Sequence, residues 1–365
     1  MPMNDPATLP ATLPDLEQVL RPDKARATPP AFAALDLGTN NCRLLVGAPV
    51  GDGFRVLDSF SRVVRLGEGL QHNDMLSDAG MDRAVEALQV CVQRLARRPV
   101  RALRAIATEA CRRAGNGAEF LARVRTETGL PIKVIGTREE AELTLESCAS
   151  LLRGGGRRAL LFDIGGGSTE LAWVRLSGVH AAPELAGYVS LPIGVVTLAE
   201  RFGAGAYTAD GFAAMVDGVE ASLRRFAALH CIGQELRQGG VALVGTSGTA
   251  TTLASVSLNL QRYSRPAVDG AVLSLDAAMA ALAHLRELGA VGLAQHPCVG
   301  PERAALVMPG CAIFAAIQRI CPAPQVVVAD RGLREGMLLR MMRADCARPH
   351  GRRADAALAG LKLQA

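Results

Sequence analysis

The sequence predicts an α/β protein built from two similar lobes, and three observations lead to this expectation. The chain has 365 residues, which is too long for one ordinary hydrophobic core and fits two domains. Strand-like runs alternate with helical patterns, as they do in α/β folds. One short pattern also occurs twice, at 36–41 and at 163–170. In each case an apolar strand runs into Asp, an apolar residue, Gly and a cluster of small polar or Gly residues, which indicates two related halves.

The predicted organisation has four parts. Residues 1–30 are rich in Pro, Ala, Thr and Asp and are predicted to form a disordered arm. The first lobe spans 31–155 and ends in a Gly-rich stretch, and the second lobe spans 156–345. The Arg- and Ala-rich segment 346–365 is predicted to be a flexible tail.

The first lobe opens with three strands and continues with alternating helices and strands. The runs 33–36, 43–48 and 54–65 predict a meander. Ser77 is expected to cap a helix that runs through Leu95, because the apolar positions between them recur at helical spacing. The pattern then predicts a strand at 103–108, a helix at 117–128, a strand at 132–135 and a helix at 139–152.

The second lobe starts the same order again. Its apolar runs and turn residues predict strands at 159–163, 171–176 and 186–192, helices at 195–202 and 210–229, a strand at 241–245, a helix after the following loop, and a strand at 325–329.

Composition argues against several classes of function. The net charge of +5 permits an anionic substrate but does not demand nucleic acid, and an aromatic content of 4% weakens any interpretation based on base stacking. Nine Cys without a C-x-x-C pair predict a reducing compartment. The first 21 residues lack the pattern of a signal peptide, and the apolar stretch 304–317 is interrupted by Pro309 and Gly310. We therefore expect a cytoplasmic protein with no membrane or nucleic-acid partner.

The repeated turns are candidate anion sites, because a small turn between two strands brings backbone N–H groups against a phosphate. The Asp before each turn, Asp36 or Asp163, can hold a cation or its water. Three consecutive Gly residues are costly inside a sheet unless the backbone must approach something closely. The first turn can equally be an ordinary hairpin. The turn residues are Thr39, Asn40 and Asn41 in the first motif and Gly165, Gly166, Gly167, Ser168 and Thr169 in the second.

Three further motifs can bear on the same chemistry: the loop at 245–249, Arg112 and Glu140. The loop Gly245–Thr249 precedes a helix, a geometry that favours anions, although no Lys follows as in a Walker A motif; its candidate residues are Gly245, Ser247 and Gly248. Arg112 follows a strand and can clamp a phosphate, or it can be solvated surface.

Glu140 has two competing interpretations. Thr137 with Glu140 three residues later fits a capping box, in which the carboxylate only satisfies a backbone N–H. Alternatively Glu140 is a general base facing a cleft between the lobes. The spacing alone favours the cap.

Together these motifs, in this order, resemble the exopolyphosphatase and guanosine pentaphosphate phosphatase family (Ppx/GppA), within the actin-like, sugar-kinase and Hsp70 superfamily. The resemblance runs from about residue 33 to residue 339. It implies a ribonuclease-H-like core in each lobe, as in actin-like ATPase domains, with the active site in the interlobe cleft. It also implies a dimer.

The resemblance implies roles for individual residues. Glu140 corresponds to the catalytic glutamate that activates water, and Glu170 to a second acid near the metal. Asp163 falls on the position associated with Mg²⁺, so the expected cofactor is Mg²⁺ or another divalent cation, with Asp36, Asp163 and Glu170 as candidate ligands. The turns, Arg112 and the 245–248 loop fall on phosphate-binding positions.

The sequence departs from the family pattern in several places. Thr39 and Asn41 each replace a common Ser but keep polar side chains. Glu142 stands where relatives often carry Arg, and Arg331 stands where Gly is usual. We expect Glu139 and Glu142 to raise the pKa of Glu140 modestly. From its length we expect the short form of the family, without the additional helical region of longer relatives.

The expected activity is release of terminal phosphate from inorganic polyphosphate. The alternatives are removal of the 5′-terminal phosphate from guanosine pentaphosphate, a sensor that binds phosphates or alarmone without turnover, and a kinase of the wider superfamily. A basic track would favour the polymer; its candidates are Arg97, Arg98, Arg101, Arg104, Arg153, Arg157 and Arg158.

Overall fold

The computed structural model describes residues 30–152, 156–178 and 181–347. Apart from residues 30, 346 and 347, the predicted arm and the predicted tail lie outside these ranges, and so does Arg153.

The first lobe contains a five-stranded sheet in the order β3-β2-β1-β4-β5. The first three strands form the predicted meander, since β1 pairs with β2 and β2 with β3 in antiparallel fashion. β4 and β5 extend the sheet on the other side of β1 in parallel fashion. The strands are β1 (Phe32–Leu37), β2 (Asn41–Val50), β3 (Gly53–Val63), β4 (Ala102–Ala107) and β5 (Lys133–Val134).

The second lobe repeats this topology. Its order is β10-β11-β9-β6-β7-β8, in which β6, β7 and β8 form an antiparallel meander while β9 and β11 add parallel strands beside β6. The short β10, which the sequence did not predict, closes the edge antiparallel to β11. The strands are β6 (Arg158–Ile164), β7 (Thr169–Arg175), β8 (Glu184–Leu191), β9 (Val241–Thr246), β10 (Val272–Ser274) and β11 (Gln325–Ala329).

Two sheets with the same meander followed by two parallel strands confirm the predicted ribonuclease-H-like lobes. The helices between and after the strands are α1 (Leu70–Asn73), α2 (Asp78–Arg97), α3 (Glu109–Arg113), α4 (Gly117–Thr128) and α5 (Thr137–Cys148) in the first part of the chain, then α6 (Val195–Phe202), α7 (Ala209–Leu229), α8 (Ile232–Arg237), α9 (Ser247–Ser257), α10 (Arg265–Val268), α11 (Leu275–Gln295), α12 (Pro301–Ile320) and α13 (Leu333–Cys346). Short 3₁₀ turns follow α5 and α6 at Ala149–Leu152 and Gly203–Tyr207.

Local signals account for most of these boundaries. The Ser77 hydroxyl accepts a hydrogen bond from the Gly80 N–H at 3.2 Å and so caps α2, as expected from the sequence. Gly129, with φ of 70°, ends α4 in the left-handed conformation that glycine adopts without cost. Helices α2 and α4 pack on one face of the first sheet, and α7, α11 and α12 pack on one face of the second.

Two helices cross between the lobes. Helix α5 follows a strand of the first lobe but packs on the second sheet, where Ala141, Leu145 and Cys148 join its buried residues. Helix α13 follows a strand of the second lobe but packs on the first sheet through Met337 and Leu338. Contacts therefore cross the predicted 155/156 boundary in both directions, and the two crossing helices lie between the sheets.

Helices α11 and α12 meet the length and hydropathy of a membrane span. In α12, 67% of the apolar window is buried within the second lobe, as in the core helix of a globular domain. Because core helices meet the same criterion, the expected absence of a membrane span stays a prediction.

Candidate active site

A cavity of about 760 Å³ lies between the lobes, and most of the predicted site residues line it. Both repeated turns and the loop at the start of α9 contribute to its wall. The predicted residues that line it are Asp36, Thr39, Asn40, Asn41, Glu140, Asp163, Gly165, Gly166, Gly167, Ser168, Glu170, Ser247 and Gly248. Arg112, Thr169 and Gly245 are not among the lining residues.

The two turns are built alike. In the first, the Gly38 N–H donates to the Asn41 carbonyl at 2.9 Å; in the second, the Gly165 N–H donates to the Ser168 carbonyl at 2.9 Å. Each donor lies two positions after the Asp and each acceptor five positions after it. The sequence repeat is therefore a repeat of backbone geometry.

The turns of the two lobes touch each other. A Cβ atom on Gly166 would lie 3.2 Å from Thr39 Cβ, and a Cβ atom on Gly167 would lie 2.6 Å from Thr39 Oγ1. A Cβ contact of 3.2 Å is unusually tight, and one of 2.6 Å is closer than real Cβ atoms approach. The close approach that the triple Gly predicted is thus, in this structure, an approach of one lobe to the other.

Glu140 faces the cavity from the first turn of α5. The capping-box prediction is wrong, because the N-cap residue is Gly136 and no side chain caps this helix. The Glu140 carboxylate instead accepts a hydrogen bond from Arg112 Nη1 at 2.8 Å. Helix α5 begins one residue too early for Thr137 to act as the cap, because Thr137 is already its first residue, so Glu140 is free to turn towards the cleft.

Burial raises the pKa of Glu140 to about 7, although the charge and hydrogen bond of Arg112 act in the opposite direction. Asp36 and Asp163 add to the rise. The expected contribution of Glu139 and Glu142 is wrong, because Glu139 is paired with Arg104 and Glu142 with Arg138.

Arg112 positions Glu140 rather than lining the cavity. Its Nη1 also donates to the Ile135 carbonyl at 2.8 Å, and its Nη2 donates to Glu109 at 2.5 Å. With its N–H groups directed at two carboxylates and a carbonyl, this guanidinium holds the Glu140 side chain in one orientation. Its predicted contact with phosphate stays a prediction.

Gly245 and Thr169, the other two predicted residues that do not line the cavity, have contacts within the second lobe instead. A Cβ atom on Gly245 would lie 2.2 Å from Phe162 Cζ on the neighbouring strand, so the glycine makes room for an aromatic ring. The Thr169 hydroxyl donates to the Ile193 carbonyl at 2.7 Å and is fully buried.

The carboxylates of Asp36, Asp163 and Glu170 also line the cavity, and burial raises the pKa of each of them. Asp163 accepts a hydrogen bond from the Ser247 hydroxyl, and Glu170 accepts one from the Ser190 hydroxyl at 2.8 Å. Asp36 Oδ1 is buried without a hydrogen-bond partner among the described residues. Such an orphaned oxygen fits a cation ligand.

These carboxylates fit Mg²⁺ as a site in which the protein supplies only one or two ligands. Within the described ranges, no group of three or more His, Cys, Asp or Glu side chains is placed to hold a metal ion. Mg²⁺ typically uses one or two protein carboxylates and completes its shell with water and substrate phosphates. Asp36 and Asp163 match that requirement, and Glu170 can act through a water.

The sequence did not single out three cavity arginines, Arg43, Arg303 and Arg334. Burial and the charge of Arg43 lower the pKa of both Arg303 and Arg334, so Arg43 is close enough to repel each of the other two cations. Such a cluster is stabilised by an anion. The sequence repeat did hold a signal for Arg43. In the strand register, Arg43 lies opposite Asp36 in the first hairpin, and Glu170 lies opposite Asp163 in the second.

The predicted basic track is not seen beside the cavity. None of the six candidate arginines that fall in the described ranges lines the cavity. Arg101, Arg104 and Arg158 are paired with Asp345, Glu139 and Glu235.

The duplicated ribonuclease-H-like lobes, with a cavity between them, define an actin-like fold. Residues 46–345 match the family model of the Ppx/GppA phosphatase family, and the chain belongs to this family. Members of the family are phosphatases.

Solved structures agree with this assignment. The chain is similar to the Aquifex aeolicus member of the Ppx/GppA family, with 26% identity and a TM-score of 0.70 over 86% of this chain and 98% of that one. It is similar to an exopolyphosphatase-like protein, with 26% identity and a TM-score of 0.75 over 87% and 99% of the two chains. An exopolyphosphatase from Cytophaga hutchinsonii shares the fold, at 23% identity and a TM-score of 0.76 over 86% and 98%.

Proposed function

We propose that this phosphatase releases the terminal phosphate of inorganic polyphosphate, with Glu140 activating the attacking water. The observation that carries the proposal is the position of Glu140. A buried carboxylate with a pKa of about 7 faces a cavity lined by two equivalent Gly turns, one from each lobe. Phosphate binding alone does not require such a base, which speaks against the sensor.

Each part of the site has a task in phosphoryl transfer, which depends mostly on positioning and on neutralising charge. The backbone N–H groups of the two turns and the guanidinium groups of Arg43, Arg303 and Arg334 would hold the phosphate oxygens. Glu140, held by Arg112, would orient a water molecule and accept its proton. A pKa near neutral suits this role, because the carboxylate is then basic yet substantially ionised.

A divalent cation, Mg²⁺ in our proposal, would be held by Asp36 and Asp163 together with phosphate oxygens. When bound, it supplies positive charge against the charge that develops on the phosphoryl oxygens. Bringing four buried carboxylates next to a polyanion is otherwise unfavourable.

A second substrate, guanosine pentaphosphate, is favoured by a separate observation. The cavity has an apolar wall on α9, α11 and α12, and the described arginines of the predicted polymer track lie elsewhere. Removal of the 5′-terminal phosphate from this nucleotide uses the same reaction and the same residues. A kinase is less favoured, because the proposed base is Glu140 rather than an Asp.

The test is a phosphate-release assay on long-chain polyphosphate and on guanosine pentaphosphate, with and without Mg²⁺. Glu140→Gln should lower kcat by about 10²- to 10⁴-fold, the usual contribution of a general base. Glu139→Gln is the matched control, because its carboxylate is paired with Arg104 and does not line the cavity. Full activity of Glu140→Gln would overturn the assignment of the base, and no phosphate release from either substrate would favour the sensor.

A further inference from the structure

Glu200 on α6 joins the two lobes outside the wall of the cavity. Its Oε1 accepts a hydrogen bond from the Gly69 N–H of the first lobe at 2.8 Å. Its Oε2 is buried, and the Gly69 N–H is the one hydrogen-bond donor that the described part of the chain offers to this carboxylate. A hydrogen bond to a charged acceptor contributes more than one between neutral groups. The contact is therefore a strong link between the lobes, although neither residue lines the cavity.

In the first lobe, Gly69 belongs to a loop that is bound to the first turn. The Val64 N–H donates to the Asn40 carbonyl at 2.8 Å. The Gly67 N–H donates to the Thr39 carbonyl at 2.9 Å, and a Cβ atom on Gly67 would lie 2.3 Å from Thr39 Cγ2. Gly69 follows two residues after this tight contact. The position of Gly69 is therefore tied to the backbone of the first turn.

In the second lobe, Glu200 belongs to a helix that begins on the second turn. The Val195 N–H, at the start of α6, donates to the Gly165 carbonyl at 3.0 Å. The next N–H, that of Val196, donates to the Gly166 carbonyl at 2.8 Å. Glu200 lies about 7.5 Å further along the same rigid helix. The helix therefore ties Glu200 to the second turn, just as the loop ties Gly69 to the first.

Two separate contacts thus join the turns. One is direct, between the second turn and Thr39, and the other runs through Gly69 and Glu200. Two bodies that touch at a single place can still rotate about it, whereas a second contact at a distance removes that rotation. The angle between the turns matters, because the N–H groups of both must point at the same phosphate, and small errors of orientation are costly in rate.

We propose that Glu200 is a positioning residue for phosphate release, which fixes the angle between the two turns without touching the substrate. The inference applies to either of the substrates proposed above, and it rests on the proposed grip of one phosphate by both turns. Without the bond to Gly69, only part of the molecules should hold the turns at the productive angle, and the substrate must align them when it binds. Loss of the bond should therefore weaken binding, with a smaller effect on turnover at saturating substrate.

The experiment compares the kinetics of Glu200→Ala, Glu200→Gln and Glu68→Ala on the substrate that is hydrolysed. In Glu200→Ala, KM should rise about tenfold, as expected for the loss of one hydrogen bond to a charged group, while kcat stays within about threefold of wild type. In Glu200→Gln the amide oxygen still accepts the Gly69 N–H, so KM should stay within about threefold of wild type. Glu68→Ala is the matched control and should leave KM unchanged, because Glu68 lies on the same loop but pairs with Arg83 of its own lobe at 2.9 Å.

A merely structural role of Glu200 gives a different result. It would lower the urea midpoint of unfolding and the fraction of active protein, and hence kcat, while KM stayed unchanged, and this result would overturn the proposal. An equal rise of KM in Glu200→Ala and Glu200→Gln, or in Glu200→Ala and Glu68→Ala, would also overturn it.

Binding is measured separately from turnover. Dissociation constants for tripolyphosphate, determined by calorimetry in the Glu140→Gln background, should rise about tenfold in Glu200→Ala and stay within about threefold in Glu200→Gln. An unchanged affinity in Glu200→Ala would contradict the positioning role. A wild-type protein that releases no phosphate would contradict only the proposed reaction, since these constants still test Glu200.

Discussion

Glu140 is subject to two opposing influences, and their balance sets its chemistry. Burial raises its pKa, while the ion pair with Arg112 lowers it. Without the arginine, the carboxyl group would hold its proton over more of the neutral range and could not accept one from water. Arg112 therefore acts on the reaction through Glu140, by orienting it and by limiting its pKa.

The pH dependence of activity should reflect this balance. A general base must be ionised, so kcat/KM should rise with pH up to about 7 and level off above it. In Arg112→Gln the loss of the cation raises the pKa of Glu140, so the rising limb should move to higher pH, by about one unit or more. Initial rates of phosphate release from pH 5 to pH 9 measure the rising limb in the wild type and in the variant.

The neighbouring Arg113 provides the control for this shift. It lies on the same short helix but pairs with Asp74 at 3.4 Å and does not contact Glu140. Arg113→Gln should leave the limb where it is. A limb that moves equally in both variants, or in neither, would contradict the proposed role of Arg112.

Single residues were the hardest features to predict from the sequence. Thr137 and Glu140 fit a capping box by spacing, and only the position of Gly136 at the helix start decides against it. Gly245 fits an anion loop by pattern, yet its contact is the ring of Phe162 on a strand more than 80 positions away in the chain. Spacing along the chain cannot reveal such partners. The position of Arg43, in contrast, could have been predicted, because the repeat places it opposite Asp36 just as Glu170 lies opposite Asp163.

At the scale of elements, the strands and long helices were well predicted because each has a strong local pattern. Helices α4 and α6 and strand β11 were predicted with the bounds that the structure shows. The crossing of α5 and α13 was not, since which sheet a helix packs against depends on contacts between distant segments. At this crossing, Glu146 on α5 also pairs with Arg340 on α13 at 2.8 Å.

The crossing depends on the absence of a side chain at Gly336. A Cβ atom there would lie 2.1 Å from the Leu143 carbonyl oxygen of α5. Because backbone cannot move aside as a flexible side chain can, Gly336→Ala should destabilise the protein by about 1–3 kcal/mol, the range for overpacking. It should also lower activity, since Leu143 lies one turn from Glu140. Urea unfolding and phosphate release measure the two effects.

Gly218 on α7 is the matched control for this substitution. It also lies inside a helix, but a Cβ atom there would meet nothing within 4 Å. Gly218→Ala should therefore raise the free energy of unfolding by about 0.5–1 kcal/mol through helix propensity alone. If Gly336→Ala and Gly218→Ala changed the free energy of unfolding in the same direction, tight packing at the crossing would not explain the effect of Gly336→Ala.

At the scale of the whole molecule, the two lobes meet directly at their turns. Besides the contacts of Gly166 and Gly167 with Thr39, the Gly69 N–H of the first lobe donates to Glu200 on α6 of the second at 2.8 Å. The cavity between the lobes therefore depends on how closely they approach. The sequence predicted paired turns around one anion, but it could not show that the glycines serve the contact between turns, because that contact joins residues 127 and 128 positions apart.

Gly167→Ala tests whether this contact sets the closed arrangement. The added Cβ would lie 2.6 Å from Thr39 Oγ1, so the lobes should move apart and the turns should no longer grip one phosphate together. A displacement of the order of 1 Å can cost about 10²-fold in rate, and we expect a loss of that order in kcat/KM. Small-angle scattering should show an increased radius of gyration.

Two further variants make the interpretation specific. Gly205→Ala adds the same methyl group in the 3₁₀ turn after α6, where nothing lies within 4 Å, and should change neither the activity nor the radius. Thr39→Ala removes both Thr39 atoms that the new Cβ would meet, so the double variant should recover the radius of wild type even where lost Thr39 contacts keep its activity low. A Gly167→Ala protein with wild-type radius and activity would show that the turns do not need to touch. The triple Gly would then serve the approach of backbone to phosphate, which is the reason that the sequence alone suggests.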